Sequence, residues 1–143
     1  MDLDNKIFTD IQEDQILKEL QLEYDVYELL TIDEFKIKEQ IEKNPFYMEQ
    51  FRLLYLKEKG KLLRIEIMRD EYIGKLYDDL RFHNDKSITK TEIERYYIPK
   101  DEKVVKLKKL HMKTQIRMEF FEAVYEAFKT QSWLLKQHIE VNK

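Results

Sequence analysis

The sequence predicts an all-α fold of long helices with short flanking helices, assembling in several copies as a homo-oligomeric bundle. Three observations carry this. Of 143 residues 38% are charged, while only two are glycine and two proline, so the chain lacks the turn residues that hairpins need. Apolar side chains recur at intervals of three, four and seven over long uninterrupted stretches. Finally, the stretch from Pro45 to Leu80, read as one helix, spans ~54 Å at 1.5 Å per residue, whereas a compact monomer of this size is ~37 Å across. Such a helix outruns its own domain, and its far end must pack on other copies or another partner.

The first element is an amphipathic helix from Phe8 to Leu30, with Ile11, Ile16, Leu17, Leu20, Leu22, Tyr24 and Tyr27 as its apolar positions. Thr31-Ile32-Asp33-Glu34 has the form of a capping box, in which Thr31 or Asp33 accepts from first-turn amides and Glu34 reaches back. The short helix that follows should stop at Asn44-Pro45, because the residue before a proline is pushed out of helical geometry. A long helix then runs to about Leu80 through Tyr47, Phe51, Leu54, Tyr55, Leu62, Ile65, Tyr72 and Leu76; Gly60 and Gly74 each cost it about 1 kcal/mol relative to alanine. His83 to Ser87 is a turn cluster. Ile93 to Ile98 is a short helix or an extended piece that packs Tyr96 or Tyr97. A second long helix begins at Lys100-Asp101-Glu102, acids at its N-terminus suiting the helix dipole. Its apolar residues, among them Val104, Leu107, Leu110, Ile116, Phe120, Phe121, Val124, Tyr125 and Phe128, cover more than one face. Thr130-Gln131-Ser132 reads as a break and a new cap before a closing helix that holds Trp133, Leu134, Leu135, His138 and Ile139.

Charge is distributed unevenly. The net charge is −3, but residues 1–50 hold 14 acids and 5 bases, residues 51–99 hold 9 and 11, and residues 100–143 hold 6 and 10. An acidic average therefore leaves room for a polyanionic partner on the later residues. The absence of cysteine excludes disulfides, thiolate metal sites and cysteine nucleophiles. No apolar run is long enough for a membrane span, and the acidic first residues lack a secretory pattern.

Catalytic chemistry is not expected. The two glycines stand alone inside helical stretches, so no loop can cradle a phosphate. His83, His111 and His138 are far apart, and His111 reads most simply as a core or interface residue; no metal or cofactor is expected. Neighbouring acids such as Asp78 and Asp79 point about 100° apart on a helix. Cations are better organised. Lys57, Lys61 and Arg64 line one helical face, as do Lys106, Lys109, Lys113 and Arg117. Columns of this kind suit a phosphate backbone and a steeply salt-dependent affinity, although a single such stripe is more often a solvated face. Tyr77, Phe82, Tyr96 and Tyr97 can stack bases; core or interface packing is the commoner role of such residues.

Several segments in the same order resemble the UvsY family of phage recombination mediators. They are Thr31-Ile32-Asp33, Leu63-Arg64-Ile65-Glu66, the helix start Asp101-Glu102-Lys103-Val104-Val105-Lys106-Leu107, Phe120-Phe121, and Ser132 through Ile139. The resemblance covers roughly residues 20–141 and implies a single helical mediator domain at 20–143, with 1–19 as an acidic N-terminal extension. It departs where the family's DNA-contacting motif, Lys-Ala-Arg-Leu followed by aromatics, is Ile73-Gly74-Lys75-Leu76-Tyr77 here and keeps only Lys75 as a cation.

The resemblance implies a homo-oligomer, a heptamer forming an open barrel, that works in DNA recombination, repair and replication in the cytoplasm of the infected bacterium. It implies that the protein binds single-stranded DNA, helps displace a single-strand-binding protein and loads a UvsX-type recombinase. Lys57, Lys61, Arg64, Arg69, Lys75, Lys106, Lys109, Lys113 and Arg117 are the expected DNA contacts. Leu107, Leu110, Phe120, Phe121, Val124, Tyr125, Phe128 and Trp133 are the expected contacts between copies. The competing reading is a helical oligomeric scaffold that binds only proteins.

Overall fold

The computed structural model describes the backbone of residues 2–83 and 86–141, with side chains from residue 13 onward in those ranges. All its regular elements are helical: α1 (Asp2–Tyr24), α2 (Val26–Leu30), α3 (Ile37–Phe82), α4 (Lys90–Glu92), a π-helical turn (Ile93–Tyr97), α5 (Ile98–Lys100) and α6 (Glu102–Val141). The expectation of an all-α chain dominated by two long helices holds. Both are longer than expected, at 46 residues for α3 and 40 for α6.

The first expected helix is two. Asp25 takes the left-handed backbone conformation, φ 49° and ψ 43°, which ends α1 and turns the chain into α2. Among non-glycine residues, aspartate and asparagine tolerate that conformation best. Thr31 does not cap α3. Its hydroxyl donates to the Tyr27 carbonyl at 2.6 Å and so closes α2 instead. The turn before α3 is held by the Asp33 carboxylate, which accepts from the Phe35 amide at 2.9 Å, and by Gln40, whose side chain bridges the Thr31 carbonyl and the Asp33 amide.

Helix α3 does not stop at Asn44-Pro45. Pro45 lies inside it, leaves the Ile41 carbonyl without its intrahelical donor, and by itself disfavours the helix by about 3 kcal/mol. Asn44 contributes to the continuity. It is buried, and its amide donates both to the Phe128 carbonyl and to Gln131, each at 2.9 Å, locking this turn of α3 against α6. Nor does α6 break at Thr130-Gln131-Ser132. Thr130 bonds back to the Glu126 carbonyl at 3.3 Å, and Gln131 is spent on Asn44 and on the Leu29 carbonyl, so neither is left to cap a new helix.

The chain divides into two compact units, residues 1–59 with 115–143, and residues 60–114. The first unit has an aromatic core of Leu20, Val26, Phe51, Phe120, Phe121, Val124 and Phe128. Tyr24 meets Phe121 edge-on at 5.2 Å, and Phe51 and Tyr47 both stack on Phe128. Ile16 and Leu17 pack on this core beside Leu20, so the expected boundary between residues 19 and 20 falls inside α1. The second unit buries Ile65, Ile88, Ile93, Val104 and Leu107.

Of the expected turn cluster, Asn84 and Asp85 lie outside the described residues; His83 is a bend that follows α3. No described helix is long and apolar enough to cross a membrane.

Candidate nucleic-acid interface

The two units differ in charge. Residues 60–114 contain 14 lysines and arginines against 10 acids, a net +4, while the other unit contains 12 against 19, a net −7. Seven of the nine expected DNA contacts, Lys61, Arg64, Arg69, Lys75, Lys106, Lys109 and Lys113, belong to the positive unit.

The geometry of that unit starts at Asp101. One carboxylate oxygen accepts from the Val104 amide at 3.0 Å, capping α6, and the other accepts the Tyr72 hydroxyl of α3 at 3.0 Å. The Val104 amide, and then the Tyr72 hydroxyl and the Lys103 charge, hold the Asp101 carboxyl below its ordinary range; the same bond raises the Tyr72 phenol above its own. Lys103 sits 4.7 Å over the Tyr72 ring. Further along, His111 meets Glu66 at 3.0 Å. These bonds clamp α3 to α6 and set which faces remain open.

Lys106, Lys109 and Lys113 are exposed on successive turns of α6. Arg117, expected to complete their column, is committed elsewhere. Its guanidinium donates to Glu58 at 3.2 Å and lies 5.6 Å from the Phe121 ring centre. Glu58 is almost fully buried, so this pair ties Arg117 to the core of the acidic unit. On α3, Lys57, Lys61, Arg64 and Lys75 are exposed, with Arg64 also donating to the Gly60 carbonyl at 3.4 Å. Lys57 falls in the other unit. Arg69 is half-buried and 3.6 Å from Asp70.

The expected contacts between copies need correction. Leu107, Phe120, Phe121, Val124 and Phe128 are buried inside the chain, Phe121 and Phe128 completely. The aromatic cluster that covers more than one face of α6 is matched by α1, α2 and α3 of the same chain, which the sequence pattern did not reveal. Leu110 and Trp133 remain exposed, by 47% and 59%, and Tyr125 is half-buried. Other apolar side chains stand open instead: Leu22, Tyr27 and Phe35 near the start of the chain, and Leu53, Leu63 and Ile67 on α3. Phe35 is 97% exposed.

Of the four aromatics considered for stacking, Tyr77 is half-buried, while Phe82, Tyr96 and Tyr97 are exposed. Tyr96 and Tyr97 therefore do not pack inward as their segment was expected to. The inward residue is Ile93, which is fully buried.

In the acidic unit a groove of about 290 Å³ is lined by Asp25, Glu28, Lys36, Glu39, Lys43 and Gln131 among others. Its charges are largely turned on one another. Glu39 binds Lys43 at 2.6 Å, and Asp25, as hydrogen-bond acceptor and like charge, raises the Glu28 carboxyl above its ordinary range. Among the described residues no three His, Cys, Asp or Glu side chains are placed to hold a metal ion.

No family model and no curated protein matches the chain. Solved structures do match. A crystal structure of the bacteriophage T4 recombination mediator protein UvsY, in its lattice type IV, aligns with 88% of this chain and 95% of its own at a TM-score of 0.72 and 18% identity. The fold is that of UvsY. Two further crystal forms of UvsY, lattice types II and I, align with 85% of this chain at TM-scores of 0.70 and 0.69, again at 18% identity. The match covers nearly the whole UvsY chain. At this identity the likeness to UvsY rests on helix lengths and packing, while individual side chains have largely changed.

Proposed function

We propose that this protein is a recombination mediator. It binds single-stranded DNA as a homo-oligomer and promotes loading of a UvsX-type recombinase against a single-strand-binding protein, in the cytoplasm of a phage-infected bacterium, with no turnover or cofactor of its own. The observation that carries this reading is the UvsY fold across 88% of the chain. Two features of this chain support it. The positive unit offers exposed rows of cations to a phosphate backbone, Lys106, Lys109 and Lys113 on α6 with Lys61, Arg64 and Lys75 on α3. Large apolar side chains left open on both long helices, Leu53, Leu63, Ile67, Leu110 and Trp133, suit contact with further copies.

The deciding experiment is filament assembly. With single-stranded DNA already covered by a single-strand-binding protein, adding this protein should shorten the lag before the recombinase begins to hydrolyse ATP. An unchanged lag at every ratio of mediator to recombinase sinks the proposal.

A second reading, a scaffold that binds only proteins, is favoured by Leu22, Tyr27 and Phe35, exposed by 83%, 85% and 97% on the acidic segment. A gel shift with labelled single-stranded DNA at low salt separates the two: the mediator shifts it, whereas the scaffold leaves it unmoved.

A further inference from the structure

The segment after α3 is fastened at several points. Arg81 donates to the Ile88 carbonyl at 3.1 Å, and Ile88 and Ile93 are buried. Thr89 caps α4, accepting from the Glu92 amide at 3.2 Å while its hydroxyl donates to the Glu92 carboxylate at 3.1 Å. The next turn is π-helical and is closed by the Ile98 amide on the Ile93 carbonyl. Pro99 supplies a reason for the widening. It has no amide for the Arg95 carbonyl, and in α-helical register its ring would press on that oxygen. Such wide turns recur at functional sites.

What this turn holds outward is a pair of adjacent tyrosines, Tyr96 exposed by 57% and Tyr97 by 42%. Two large aromatics on an anchored segment gain little from water and cannot retreat into the core, since Ile93 occupies the inward position. Cations accompany them. Lys100 lies 5.8 Å from the Tyr96 ring centre and Arg95 is exposed between Glu94 and Tyr96. The acids of the segment are engaged locally, Glu92 by Thr89 and Glu94 by Lys90 at 4.0 Å. Aromatic faces flanked by cations fit a ligand with flat rings and a polyanionic backbone.

We propose that the π-helical turn Ile93–Tyr97 is a base-stacking platform for single-stranded nucleic acid, with Tyr96 and Tyr97 against bases and Arg95 and Lys100 against phosphates. The ligand class rests on the mediator reading; the location does not. It places contacts on an element separate from the lysine rows of α3 and α6.

The test compares a short fluorescent oligothymidylate with an abasic strand of equal length, titrated with the full-length protein. Replacing Tyr96 and Tyr97 together by Ala should weaken binding of oligothymidylate tenfold or more and leave the abasic strand unaffected, while the double Phe variant keeps wild-type affinity. Arg95→Ala and Lys100→Ala should each make the salt dependence shallower. As a check that needs no folded variant, iododeoxyuridine placed in the strand should crosslink to Tyr96 or Tyr97 of the wild-type protein. Equal affinity of the double Ala variant and wild type for oligothymidylate overturns the platform alone and returns the DNA to the lysine rows. Crosslinks confined to other residues, or equal losses on both strands, also overturn it. If wild-type protein binds neither strand at low salt, the mediator reading falls as well.

Discussion

Asn44 joins three elements with one side chain. Its amide donates to the Phe128 carbonyl and to Gln131, and Gln131 in turn donates to the Leu29 carbonyl, so α2, α3 and α6 share one buried polar chain. Replacing Asn44 by Ala removes the donor and leaves both acceptors buried, and should cost about 1–3 kcal/mol in urea unfolding. A midpoint within error of wild type would mean that water enters and takes over the bonds. Phe121 tests the apolar side of the same core. It is completely buried and touches Tyr24, Phe51 and Phe120, so Phe121→Ala should destabilise by about 3–5 kcal/mol in the same assay. Neither role was legible in advance. Asn44 reads from sequence as the residue before a proline, and Phe121 as one of many apolar positions on a crowded helix.

The helices make predictions of their own. Asp101 caps α6 and ties it to Tyr72, and these hydrogen bonds hold its carboxyl below the ordinary value. A group whose pKa is lower folded than unfolded stabilises the fold fully above its unfolded pKa and loses that contribution as pH falls through the folded value. Asp101→Asn should therefore melt lower than wild type at neutral pH, with the gap closing in strongly acidic solution. A gap independent of pH would show that the carboxylate charge contributes nothing. Gly60 offers the opposite sign. A Cβ there meets nothing within 4 Å, so Gly60→Ala should stabilise α3, by about 1 kcal/mol, unless another copy packs on that face. The start of α6 at Asp101 was readable, because an acid at a helix N-terminus is a local signal. The continuity of α3 through Pro45 was not, because tertiary packing, to which the Asn44 bonds contribute, offsets a local penalty.

At the scale of the whole molecule, the proposed assembly of several copies carries its own prediction. Phe35, Leu53, Leu63, Ile67 and Trp133 remain exposed after the chain has folded, and leaving large apolar side chains in water forgoes roughly 1.5–3 kcal/mol each. Light scattering coupled to size exclusion should give a multiple of 17.7 kDa, and Trp133→Arg should lower that mass without loss of helicity. A single-copy mass for the wild-type protein would remove assembly from the proposed function.

Composition and periodicity by themselves determined that this chain is helical and dominated by two long elements, because scarce glycine and proline and a three-to-four spacing act through local geometry. They also exposed the charge asymmetry, a property of residue order. Tertiary structure decided which apolar faces are satisfied within one chain, that Arg117 belongs to Glu58, and that Tyr96 and Tyr97 face outward. These outcomes depend on which faces meet across long sequence separations: a helical repeat says that a face exists, and only packing says what covers it.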